Sequence, residues 1–308
     1  MNFTLRVLGS ASAMPVPDKF PSAHVLDVHG RLFLIDCGEG TQMQMARFGV
    51  SLLKIDSIYL SHIHGDHVFG IFGLLSTIGM KGRVTPLHIY APNSFGPILK
   101  FFLSYYGEGL AYQIEFHPVN VKGPEVIYET RNTEILAFPL NHKIETYGYL
   151  FREKTPMMNV KKYKIEQYGL SLAEIGALKR GEDVVREDMV ISNEEAAYQP
   201  YIPRSYAYCS DTAPIPELPE WVKGVDLLYH EATFLDCYKE QAEKRYHSTT
   251  LQAAACAKAA GAGKLLIAHY SSRCRNIMTY QDECRTIFPE TYAVKDGDVF
   301  EVELKKLV

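Results

Sequence analysis

No apolar run in this chain approaches the roughly 20 residues that a membrane-spanning helix needs, which excludes such a helix. There is no C-x-x-C pair. The six cysteines (Cys37, Cys209, Cys237, Cys256, Cys274, Cys284) are scattered over 308 residues, which excludes a disulfide framework and reads as reduced thiols. The start, Met1-Asn2-Phe3-Thr4-Leu5-Arg6, has no basic opening, long apolar stretch or small-residue cleavage site, so no secretory signal is read and a cytoplasmic location is expected. Charge of one sign is also lacking. The net charge of −4 excludes a basic nucleic-acid binder acting with its whole surface, though a local basic patch would still serve. What remains is ordinary globular material, 47% hydrophobic and 22% charged, enough for one large domain or two modest halves.

Short β-like runs alternate with helical stretches. Strands are expected at Thr4–Leu8, His24–Val28, Arg31–Ile35, Ser57–Leu60, Leu87–Tyr90, Ile135–Phe138 and Gly148–Phe151, with helices at Glu39–Phe48, Val68–Gly79 and Ser94–Tyr106. The second half repeats the pattern. Strands are read at Tyr206–Cys209, Leu227–His230, Lys264–Ala268 and Val299–Leu304. A helix over Thr249–Ala260 has a Thr249-x-x-Gln252 capping box at its start and Gly261 as its stop. Asp36, His62, Asp211, His230 and His269 each directly follow an apolar run. Functional groups in layered α/β folds gather at strand ends, so these five predict one shared site built from both halves. Polar residues also simply mark where strands stop, but that does not explain so selective a choice of His and Asp.

The densest signal is Ser61-His62-Ile63-His64-Gly65-Asp66-His67. On extended backbone His62 and His64 point the same way and suit one ion. Asp66 and His67 follow the turn at Gly65 and suit a second, since paired metals about 3.5–4 Å apart form a hydrolytic clamp. Four side chains cannot fill two coordination spheres, because a catalytic zinc takes about three protein ligands and keeps a place for water. The missing ligands are sought at strand ends: Asp211, whose two oxygens can bridge two cations, His269 and His142. Asp36 is placed behind a ligand histidine, orienting it through its other nitrogen. Asp66 can hold and orient the attacking water. The chemistry is hydrolysis, and nothing in these residues selects among phosphate ester, thioester and amide.

Residues 152–203 break the alternation. From Arg152 to Arg180 there are seven basic residues (Arg152, Lys154, Lys161, Lys162, Lys164, Lys179, Arg180) against three acidic ones (Glu153, Glu166, Glu174), and Leu170–Leu178 reads as a short helix. The segment is expected to be an inserted arm that meets an anionic partner, or else a solvated surface insertion.

His62-x-His64-x-Asp66-His67, with Asp36, His142, Asp211 and His269, resembles the metallo-β-lactamase superfamily over nearly the whole chain. The resemblance implies one domain over 1–308, an αββα sandwich of two mixed β-sheets flanked by helices, with 152–203 as a projecting arm. Asp36-Cys37-Gly38-Glu39-Gly40-Thr41-Gln42, His230-Glu231-Ala232-Thr233-Phe234, His247-Ser248-Thr249 and His269-Tyr270-Ser271-Ser272-Arg273 together resemble the ribonuclease Z family. That implies a zinc-dependent endoribonuclease that removes the 3′ trailer of precursor tRNA after the discriminator nucleotide and leaves a 3′-hydroxyl. A small-molecule phosphodiesterase is the alternative.

The family would place one Zn²⁺ on His62, His64 and His142 and a second on Asp66, His67 and His269. Asp211 would bridge them, with Mn²⁺ or Fe²⁺ as possible replacements. Asp66 would accept the water's proton, and Glu231 with His247 would deliver one to the leaving oxygen. The resemblance also implies a homodimer in which one subunit's arm presents tRNA to the other's site. Arg273 and the arm cations Lys161, Lys162, Lys164, Lys179 and Arg180 are the candidate substrate contacts. The family's Gly-Pro-rich turn before the basic segment is missing from Gly169–Gly181. Gly79-Met80-Lys81-Gly82-Arg83 is a further candidate contact with the RNA 3′ end.

Overall fold

The computed structural model describes residues 2–13, 19–271 and 274–307. Two seven-stranded mixed sheets carry the fold. The first runs in the order Val299–Glu301, Phe3–Gly9, Ala23–Val28, Arg31–Ile35, Ile55–Tyr59, Leu87–Pro92, Ile114–Val119. The second runs Thr291–Ala293, Lys264–Ala268, Leu227–Glu231, Ser205–Cys209, Tyr147–Glu153, Thr133–Pro139, Glu125–Glu129. Each sheet is half antiparallel and half parallel. The parallel halves are the four strands from Arg31 to Val119 and the four from Ser205 to Ala293. Parallel strands release their loops at one edge, and those loops carry the polar cluster.

The period of two along a strand explains the layering. Phe33 and Ile35 belong to the apolar core between the sheets, while Leu32 and Leu34 face a second core under the outer helices. The core between the sheets is rich in buried tyrosine: Tyr59 stacks on Tyr90 at 5.0 Å and Tyr208 on Tyr229 at 4.7 Å. Helix Gly70–Met80 buries Ile71, Leu74, Leu75 and Ile78 on the outer face of the first sheet. Helix Thr250–Ala260 covers the second sheet with Ala253, Ala254, Ala257 and Ala260. Its Thr249 hydroxyl accepts from the Gln252 amide, the Gln252 side chain accepts from the Thr249 amide, and Gly261 closes it at φ 64°. The capping signal was therefore legible to the residue.

Other sequence expectations differ from the structure. The last strand stops at Glu301, not Leu304. Strands Ile114–Val119 and Glu125–Glu129 and helix Ile277–Arg285 were not expected. They lie at sheet edges or half-exposed, where apolar periodicity is weak.

The segment between Glu153 and Ser205 has its own small core of Leu170, Leu178, Val184, Ile191 and Ala196. It holds helices Lys162–Tyr168 and Leu172–Lys179, an antiparallel pair of Asn159–Val160 with Ala197–Tyr198 that closes its base, and a short hairpin of Val184–Val185 with Val190–Ile191. The expected basic excess does not extend over this segment. Across 152–203 there are eight basic and nine acidic residues, because the later half carries Glu182, Asp183, Glu187, Asp188, Glu194 and Glu195. The acidic half folds back on the basic half. Lys164 is buried and ion-paired with Glu195, Lys161 donates to the Glu195 carbonyl, Arg180 pairs with Glu182 at 2.8 Å and Arg186 with Glu174 at 2.8 Å. Lys162 and Lys179 stay exposed, with no ion pair among the described residues. No helix of the described residues is long and apolar enough to cross a membrane.

Candidate metal centre and active site

Strand Ile55–Tyr59 delivers the chain to Ser61, and extended backbone carries His62 and His64 to one side before a single helical turn, Gly65–Val68, redirects Asp66 and His67. Parallel strands of the other sheet end at Cys209, Glu231 and Ala268, so Asp211, Glu231 and His269 arrive at the same edge. His142 enters from the loop after Thr133–Pro139. His64, Asp66, His142, Asp211 and His269, with His247, line a cavity of about 680 Å³, and His62, His67 and Glu231 lie buried behind its wall.

The atoms that could ligate a metal form two groups. His62 Nε2 lies 3.0 Å from His64 Nδ1, which lies 3.3 Å from His142 Nε2. His67 Nε2 lies 3.3 Å from His269 Nε2, and Asp66 Oδ2 lies 3.5 Å and 3.4 Å from those two nitrogens. Asp211 stands between the groups. Its Oδ2 is 3.7 Å from His62 and 3.8 Å from His142, and its Oδ1 is 3.6 Å from His67 and 3.2 Å from His269. Each carboxylate oxygen thus faces one group.

The donor set fits divalent cations. Tetrahedral bonds of about 2.05 Å give ligand-to-ligand edges of about 3.3 Å, the spacing seen here. Burial lowers the pKa of His62, His64 and His142, so neutral rings turn lone pairs toward one point. Burial opposes a charge on His67, yet Asp66, Asp36 and Asp211 raise it to about 10. The second group therefore sits in a field that demands positive charge.

His67, His142 and His269 are held from behind. His67 Nδ1 donates to Asp36 Oδ2 at 2.7 Å, as expected of a residue that orients a ligand. Asp36 also accepts from the Ser61 amide at 2.7 Å, the Ser61 hydroxyl at 2.9 Å and the Tyr208 hydroxyl at 2.6 Å. His142 Nδ1 donates to the Tyr246 carbonyl at 2.9 Å, and His269 Nδ1 meets Thr233 Oγ1 at 3.0 Å. Asp36 (φ 53°) and His269 (φ 61°) hold left-handed backbone that side-chain-bearing residues rarely adopt, a strain concentrated at the site. Gly38 and Gly70 are explained by close approach. A Cβ on Gly70 would lie 1.9 Å from the Gly38 carbonyl, and one on Gly38 would lie 2.5 Å from the Asp66 carbonyl.

Beside this centre, Glu231 is fully buried and accepts five hydrogen bonds. Oε1 takes His247 Nδ1 at 2.8 Å and the Thr212 and Ser248 amides at 3.1 Å each; Oε2 takes the Thr233 amide at 2.9 Å and hydroxyl at 2.7 Å. Burial alone would raise the Glu231 pKa, and the His247 charge with these donors brings it below the usual carboxylate range. The same carboxylate overcomes the burial of His247 and raises its pKa. Because Thr233 also contacts His269, Glu231 ties the His247 pair to the second ligand group.

His230 does not join the site. Strand alternation turns it away from Glu231, its Nδ1 donates to the Glu231 carbonyl at 2.7 Å, and it lines a separate pocket with Pro214, Ile215 and Cys256. Arg273 lies outside the described residues. Lys164 is engaged inside the arm. The structure instead puts the exposed cations Lys143 and Arg245 on the cavity rim. Sequence reading passed over both, although Lys143 follows His142 directly and Arg245 precedes His247 by two positions. Thr233, Tyr208 and Tyr246 were also missed as supports, since nothing local distinguishes a hydroxyl or carbonyl behind a ligand from any other.

Two mixed sheets with this His/Asp cluster at their shared edge define a metallo-β-lactamase-fold metal-dependent hydrolase. The model of the family Anti-Pycsar protein Apyc1 matches residues 3–169. The ribonuclease Z of Bacteroides fragilis strain YCH46 is 38% identical, with 96% of this chain and 97% of that protein covered. The ribonuclease Z of Cytophaga hutchinsonii is 40% identical, covering 98% and 97%. Among solved structures, human tRNase Z short form superposes with TM-score 0.71 at 23% identity, covering 96% of this chain and 98% of that one. The metallo-β-lactamase fold protein YhfI from Bacillus subtilis gives TM-score 0.69 at 19% identity, covering 98% and 100%. The chain belongs to the ribonuclease Z family, hydrolytic endoribonucleases that act on phosphodiester bonds.

Proposed function

We propose that this protein cuts precursor tRNA after the discriminator nucleotide, releasing the 3′ trailer and leaving a 3′-hydroxyl on the tRNA. The observation that carries the reading is Asp211 set between two three-ligand groups, with the His247–Glu231 pair at their side. His62, His64 and His142 would hold one Zn²⁺, and Asp66, His67 and His269 the other, with Asp211 shared. Mn²⁺ or Fe²⁺ suit the same N/O donors. Such a pair supplies an acidified water at neutral pH and neutralises charge on the phosphoryl oxygens.

The chain's own groups do the rest. Asp66 orients the water and takes its proton as the oxygen attacks phosphorus. The bond from phosphorus to the 3′ oxygen breaks, the phosphate stays on the trailer, and His247 gives its proton to the departing 3′ oxygen. Glu231 keeps that imidazole charged and aimed. Lys143 and Arg245 on the rim take phosphates flanking the cut.

The arm, 152–203, is the tRNA-docking element in this reading, with Lys162 and Lys179 as its free cations. A homodimer would let one subunit's arm hold the substrate of the other, in the cytoplasm where tRNA matures. A precursor tRNA with a 3′ trailer tests the core of this. Discrete cleavage with Zn²⁺ or Mn²⁺ is expected. Its absence, with small phosphodiesters still hydrolysed, favours the phosphodiesterase alternative.

The phosphodiesterase alternative gives the arm no role. Val160 pairs directly with Ala197, so the arm between them can be excised and closed with a two-residue turn. Loss of tRNA cleavage with a model phosphodiester untouched supports docking. Equal loss of both refutes it.

A further inference from the structure

A second group of ligating side chains converges where the two sheets open at one edge. His88 lies on strand Leu87–Pro92, and Glu115 and His117 lie on the edge strand Ile114–Val119. The parallel register pairs His88 with Glu115 and Tyr90 with His117. Tyr90 and Val119 belong to the core between the sheets, so the period of two puts all three side chains on that same face. At the edge they are only half buried, with side-chain exposures of 28%, 42% and 39%.

The geometry is convergent. His88 Nδ1 lies 3.1 Å from His117 Nε2 and 3.2 Å from Glu115 Oε2, and the latter two atoms are 4.0 Å apart. One proton on His88 Nδ1 can serve only one of those partners. A cation serves all three. The two short edges match the roughly 3.3 Å edge of a tetrahedral site with bonds near 2.05 Å. Tyr90 stacks on His117 at 4.5 Å and 14°, fixing that ring, and Tyr128 packs 6.1 Å from His88. The Tyr128 hydroxyl donates to Asp56, a carboxylate that adds to the local negative field. The group is separate from the active site, because His88 sits beside Ser57, five residues before His62 on the same route.

We propose that His88, Glu115 and His117 form a further site for one divalent late first-row transition cation: Zn²⁺, Ni²⁺ or Cu²⁺. Two imidazoles and a carboxylate suit this group, with affinity rising toward Cu²⁺. Bound there, the ion pins the edge strand to its neighbour, where only one side of the strand is otherwise paired.

The test counts metal on the whole protein. Chelator-stripped wild type and the H88Q/H117Q variant are saturated separately with Zn²⁺ and Ni²⁺, passed through gel filtration and analysed for metal. The variant is expected to hold one equivalent less while cleaving precursor at the wild-type rate. Equal stoichiometry in both overturns the site. A second measurement needs no variant. Wild type filled with Zn²⁺ at its tight sites is given one equivalent of Cu²⁺ and read by electron paramagnetic resonance. Hyperfine coupling to two nitrogens is expected, and free or nitrogen-poor Cu²⁺ refutes the proposal.

Discussion

His247→Ala isolates the proton-delivery role. The structure gives both halves of the expectation. His247 Nδ1 lies 3.9 Å from Asp211 but is engaged by Glu231 at 2.8 Å, so metal should stay bound without it. Its Nδ1 bond to Glu231 is lost, but Glu231 keeps four other donors and is not orphaned. The stability loss should therefore be about 1–3 kcal/mol, below the 3–5 kcal/mol typical of a broken buried ion pair. Turnover should fall by about 10²–10⁴, the usual share of a general acid. The decisive assay is single-turnover cleavage of two precursors, one natural and one with sulfur in place of the bridging 3′ oxygen at the cut. A thiolate leaves without needing a proton, since thiols ionise near pH 8.5. The variant should be severely slow on the oxygen substrate and close to wild type on the sulfur one. Metal loss would move His247 into the coordination shell. An equal defect on both substrates would refute proton delivery to the leaving group.

Other perturbations probe what surrounds the centre. Asp36→Ala removes the acceptor behind His67 and should weaken metal binding about 10–100-fold by competition with a chelator; unchanged affinity would contradict the orienting role. Gly70→Ala drives a methyl group into the Gly38 carbonyl and should lower stability by about 1–3 kcal/mol, read from the urea midpoint.

Glu153 is buried and accepts from Arg204 and from His29 at 2.5 Å, and although burial raises its pKa these donors bring the net value down. A carboxyl depressed in the fold stabilises above its unfolded pKa, near 4.3, and loses that contribution as pH falls through the folded value. Urea midpoints between pH 6 and 3 should fall less steeply in Glu153→Gln than in wild type, and parallel slopes would rule the linkage out.

The clustering of the candidate metal site was legible because its parts carry rare chemistry. His62, His64, Asp66 and His67 declare themselves by spacing, and counting coordination pointed to Asp211, His142 and His269. Asp36 was legible as an acid directly after an apolar run, expected behind a ligand histidine. His230 shows where this logic fails. Position after an apolar run does not tell which face a side chain takes, and a shift of one residue along a strand reverses it. The charge of residues 152–203 was read only in part, for a related reason. A count over Arg152–Arg180 cannot see that Glu195 and Glu182, further along the chain, fold back onto Lys164 and Arg180.

By itself, the sequence determined the strand and helix alternation, the candidate metal-binding side chains and the hydrolytic chemistry, because each follows from spacing and donor type. Only the tertiary structure decided which oxygen of Asp211 faces which group, which nitrogen each histidine turns inward, and that Lys143 and Arg245 reach the rim while Lys164 does not. Those are matters of direction in space. Direction is set by register and by packing between sheets whose strands lie far apart in the chain.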